Sequence, residues 1–205
     1  MVDLKEIFSY INAIYSSFVL RDFLGKIIPG SVFLITGILY TIDISYIGKS
    51  FQYLENFWIW IIFIGISWLT GLAIQGLGTR TGLISPFPKD EANQKDGEVK
   101  YQSFAEKSNS VEFKIHERYV VLREACGNGY VSLLFSLFFL IPNIVIKFFF
   151  HGTYENVFLF YLDNNLPGVV TLLILYVFVI IGLYIMHAQS KRNQWTYMES
   201  VLKKY

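Results

Sequence analysis

Residues 112–140, EFKIHERYVVLREACGNGYVSLLFSLFFL, begin as a charged helix and end as hydrocarbon. Glu112, Lys114, His116, Glu117, Arg118, Arg123 and Glu124 fall in the first half, and no charge occurs from Tyr130 until Lys147. Only Cys126-Gly127-Asn128-Gly129 separates the two characters. Either the segment simply passes from water into lipid, or the junction is a joint that transmits something.

The rest of the chain has the same apolar bias. Of 205 residues, 54% are hydrophobic and 16% charged, against about 25% charged in soluble domains. A hydrocarbon core takes about 20 apolar helical residues to cross. Four stretches meet that length: 23–42, 57–78, 130–150 and 168–187. The expected fold is therefore all-α, a polytopic membrane protein of four transmembrane helices. An amphipathic N-terminal helix occupies 1–22, and the paired spans occupy 23–78 and 130–187. A polar loop and helix (79–129) and a C-terminal helix (188–205) form a small helical cap.

Charge in the connections sets the expected orientation. The 79–129 segment carries eight Lys and Arg residues, the 43–56 connection only Lys49, and the 151–167 connection none. Both termini and the long middle segment are thereby placed in the cytoplasm. No signal peptide is recognisable at the start. The net charge of +1 offers no field for nucleic acid, and the lone Cys126 excludes an internal disulfide framework.

In the N-terminal stretch, Asp3 and Glu6 have capping-box spacing, and Leu4, Ile7, Phe8, Ile11, Ile14, Tyr15 and Phe18 share one face. This helix is read as lying in the headgroup plane, with packing over the other helices as the alternative. Residues 79–103, broken by Pro86 and Pro88, read as a loop, and 104–126 as a helix with a stripe at Val111, Ile115, Tyr119 and Leu122. Trp195, Met198 and Leu202 share a face of the tail that suits that stripe.

The search for chemistry yields little. Glu112 and His116 have i, i+4 spacing, but a zinc site needs three or four ligands, so no metal, cofactor or catalytic residue is expected. Ionisable and polar groups inside spans are the better guide to function. Asn143 after Pro142 stands out in the third span and Gln75 in the second; they are candidates for a pore lining or a bundle core. Ser67 and Gly71 give a small-xxx-small face for helix packing. Gly127, Asn128 and Gly129 are the candidate hinge, because glycine permits a positive φ; a static helix stop is the other reading. His116, Glu117, Arg118, Arg123 and Glu124 are the candidate surface for a cytoplasmic protein or small ligand.

At RDFLGKIIPGSVFL (21–34) and ERYVVLREACGNGYVSLL (117–134) the chain resembles small bacterial membrane proteins of four predicted helices. These are of the type found as membrane components of anti-phage defence systems, the four-helix membrane protein of Kiwa being the architectural comparison. The resemblance implies a homo-oligomeric inner-membrane effector or sensor, in contact with lipid, that is gated through its cap and is in one form a regulated pore. A non-conducting scaffold for a soluble partner is the alternative. An enzyme acting on lipid through His116, Glu117 and Cys126 is a third reading.

Overall fold

The computed structural model describes residues 21–41, 56–85, 94–139 and 166–205. The amphipathic helix expected over 3–20, Pro86 and Pro88, Pro142 and Asn143, and the short connections at 43–55 and 151–165 lie outside the described residues. Among the described residues all regular structure is helical. A wide π-wound segment (Phe23–Ile27) leads into α1 (Ile28–Thr41). Then follow α2 (Phe57–Arg80), α3 (Gln94–Lys107), α4 (Ser110–Ser136), a 3₁₀ turn (Leu137–Phe139) and α5 (Leu166–Leu202).

Three helices are long and apolar enough to cross a membrane, over Phe23–Tyr40, Phe57–Arg80 and the Val170–Leu202 part of α5. The third expected span, 130–150, is described only as far as Phe139. The outer faces are apolar, as lipid requires. Phe57, Trp58, Ile62 and Leu69 on α2 and Leu172, Phe178 and Ile185 on α5 are all exposed.

Several boundaries differ from expectation. The polar stretch 79–103 is not a continuous loop. α2 extends to Arg80, and α3 begins at Gln94. α3 lacks visible periodicity because, among its described side chains, Phe104 alone is fully buried, packed with Trp195, Met198 and Val201 of α5. Nor is 104–126 one helix. The chain breaks at Ser108 and Asn109, where Asn109 Oδ1 accepts from the N–H groups of Val111 (3.0 Å) and Glu112 (2.9 Å). Glu112 Oε2 accepts in return from the Asn109 N–H (3.1 Å), completing a capping box.

The largest correction concerns Cys126 to Gly129. α4 runs unbroken from Ser110 to Ser136 through these residues, and the one positive φ among the described residues is at Gly82. The sequence is neither a bend nor a stop. The proposed division at residue 129 falls inside one helix, as does the one at 187, since α5 continues into the tail. α4 is about 40 Å long and α5 about 55 Å, at 1.5 Å per residue. Each therefore carries one body from the polar end into the apolar bundle.

Candidate functional site

Only part of the expected apolar stripe on α4 faces outward: Ile115 and Tyr119 are half-buried, and Tyr119 packs against Tyr197 of α5 (ring centroids 5.9 Å apart). Val111 is 64% exposed and Leu122 43%, whereas Glu112, His116, Arg123 and Glu124 are buried. Polar residues take the inner face because Arg21, Gln194 of α5 and Lys204 beyond it present partners there. Of the expected partner-binding group, only Arg118 is exposed and Glu117 half-buried. His116, Arg123 and Glu124 belong to internal contacts instead.

Those contacts form a connected layer. Arg123 donates through Nη1 to Gln194 Oε1 of α5 (2.6 Å). With its oxygen so occupied, Gln194 turns its Nε2 amide group to His116 Nε2 (3.1 Å). An amide N–H can only donate, so His116 Nε2 must be the bare, accepting nitrogen. The ring is also packed against Phe104 (centroids 4.8 Å apart) and Tyr101 (5.6 Å). Burial, and secondarily the Arg123 charge, depress its pKa from 6.5 to about 4. Burial likewise lowers the Arg123 pKa, while the hydrogen bond from Arg21 to Glu124 raises that of Arg21. At the far end Lys204 pairs with Glu112 (3.2 Å), whose pKa is lowered chiefly by the Asn109 N–H. Burial pushes the Cys126 thiol up, the opposite of what a nucleophile needs.

Toward the apolar half, a ladder joins α4 to the first span. Arg21 grips Glu124 with both Nε (2.8 Å) and Nη2 (2.7 Å). Asn128 Nδ2 donates to the Gly25 carbonyl, and Ser132 Oγ donates to the Pro29 carbonyl (2.6 Å). Each rung joins residues 103 apart in sequence, so two parallel helices meet once per turn in fixed register. The middle rung has a local cause. Pro29 has no N–H to offer the carbonyl four residues earlier, which is Gly25. Asn128 serves that carbonyl from the neighbouring helix.

The two glycines beside Asn128 are explained by close approach. A Cβ on Gly127 would stand 2.7 Å from His187 Nδ1 of α5, and one on Gly129 would stand 3.3 Å from Leu183. His187 Nδ1 also lies 2.9 Å from the Arg123 carbonyl and donates to it. Gly127, Asn128 and Gly129 are thus the point where α5 and the first span both meet α4.

Ser67 and Gly71 take part in the same convergence. Both are buried, and a side chain on Gly71 would collide with the Lys26 backbone. A side chain on Gly30 would collide with the Ser67 backbone. Gln75 is half-buried, and its carbonyl accepts from Thr79 Oγ1 (2.9 Å). Farther along α4, Ser136 Oγ bonds Tyr176 of α5.

Sequence reasoning missed the ladder, although a signal existed. Glu124, Asn128, Ser132 and Ser136 recur every four residues along α4, a polar stripe entering an apolar run. Gln194 and His187 carry no local signal, because each acquires its role from a residue far away in sequence, whereas Asn109 and Glu112 have the local spacing of a capping box. Among the described residues no cluster of His, Cys, Asp and Glu could hold a metal.

The fold defines an all-helical protein with three helices able to cross a membrane and a buried polar layer at one end of the bundle. Compared with protein-family models, curated proteins and solved structures, the chain has no match.

Proposed function

We propose that this chain is a homo-oligomeric sensor or effector subunit of a bacterial inner membrane, acting in stress or anti-phage defence. Its polar end faces the cytoplasm, receives a protein or small ligand, and relays that event into the bundle. The observation that carries this reading is the unbroken α4, tied at one end to α3 and the α5 tail and at the other to the first span by the three-rung ladder. A push on the polar end cannot be absorbed at residues 127–129, so it is delivered to α1 and α5. The relay is a rigid body rather than a flexing joint.

A non-conducting scaffold is the second reading, and one feature favours it over a pore. The polar groups of the bundle at Asn128, Ser132, Ser136 and Tyr176 are directed at neighbouring helices, which suits locking better than ion passage. Purification into nanodiscs, mass measurement and an ion-flux assay of the same preparation in liposomes separate the readings. A defined oligomer whose flux changes with a soluble partner supports a gated effector. A tight oligomer that binds a partner and changes the packing of α1 against α4 supports a sensor. Partner binding with no internal change leaves the scaffold.

A further inference from the structure

The segment Phe23–Ile27 is wound one residue wider than an α-helix, with the Ile28 N–H reaching back five residues to the Phe23 carbonyl. Such turns cost hydrogen-bond geometry and cluster at functional positions. Here the α alternative is also handicapped, because Pro29 leaves the Gly25 carbonyl without its usual donor. Neither winding satisfies the segment from its own backbone. Closing the turn would swing the Gly25 carbonyl off α4, so the bond from Asn128 holds the observed wide winding, and Arg21 on Glu124 holds the end of the segment one turn earlier.

We propose that Phe23–Ile27 is a two-state register switch, pinned in its wide form by Asn128 and by the Arg21–Glu124 clamp. Removing the clamp lets the turn close to α. Everything before it then rotates by about 100° about the helix axis and advances about 1.5 Å. The span beyond Pro29 stays fixed, because Gly30 is wedged against Ser67 and Ser132 holds the Pro29 carbonyl. Arg21 and Asp22 are carried away from α4, which links the state of the turn to the ionic layer. This device rests on the relay reading above and supplies the motion it needs.

The test uses the full chain in nanodiscs with Cys126→Ala and spin labels at Phe23→Cys and Arg118→Cys, both exposed positions. A second pair, Leu39→Cys with Arg118→Cys, reports on the span beyond the turn. Pro29→Ala restores a donor for Gly25, and adding Asn128→Ala removes the pin. The double variant is expected to move the 23–118 distance by about 3.5 Å or more while the 39–118 distance stays. Glu124→Gln is expected to add the second distance as a minor population. A single unchanged 23–118 distance in all three variants overturns the proposal. Should the double variant disturb the 39–118 pair, Pro29→Ala and Glu124→Gln decide alone. The distances need no partner, so the two ideas fail separately. A turn that switches without altering partner response removes the relay, and a partner response with a fixed turn removes the switch.

Discussion

Replacing His116 by Leu should abolish a pH dependence of stability that the buried layer imposes. In the fold His116 Nε2 accepts from Gln194, whose orientation is set by Arg123. A proton on that nitrogen would set two donors against each other beside a guanidinium. The folded pKa of about 4 lies below the unfolded 6.5, so the unfolded chain binds a proton more readily. Stability is then complete above pH 6.5 and falls as pH drops toward 4. Each pH unit in that window is worth about 1.4 kcal/mol, so the loss reaches at most about 2 kcal/mol at pH 5, reduced by whatever solvent screens the layer. The assay is equilibrium unfolding by SDS in mixed micelles at pH 7.5, 6 and 5. Each curve is read against His116→Leu, in which this linkage is missing. The wild-type midpoint should fall relative to the variant on acidification. Parallel pH dependence of the two proteins would refute the assigned nitrogen and the network that fixes it.

Other positions test the same geometry. Gly127→Ala should cost about 1–3 kcal/mol by displacing the buried His187 ring, with the effect seen in unfolding midpoints; a flexible hinge at this point would leave the midpoint unchanged. Gly30→Ala should be costlier, about 3 kcal/mol, because its neighbour is the Ser67 backbone, which has no rotamer to yield; far-UV circular dichroism and unfolding midpoints check this. Cys126 is buried with its thiol pKa raised, so maleimide should label it only after denaturation. Labelling of the folded protein would show that α4 and its neighbours open at this level.

The sequence by itself determined the helical class and most of the apolar segments. Length and hydropathy act locally, since twenty residues without charge need no partner to be recognised as a span. It also contained the small residues at Ser67 and Gly71, whose close contacts the fold realises with Gly30 and with the Lys26 backbone. Tertiary structure alone decided what the polar residues do. The apolar stripe of Val111 and Leu122 faces outward and the charged face inward, because Arg21, Gln194 and Lys204 arrive from distant segments to pair with it. The same holds for Gly127-Asn128-Gly129. A glycine in isolation signals freedom, but between packed helices it signals the room another chain segment occupies. His187 and Leu183 occupy that room here, so a stretch that reads as a hinge becomes a close-packed point of a continuous helix.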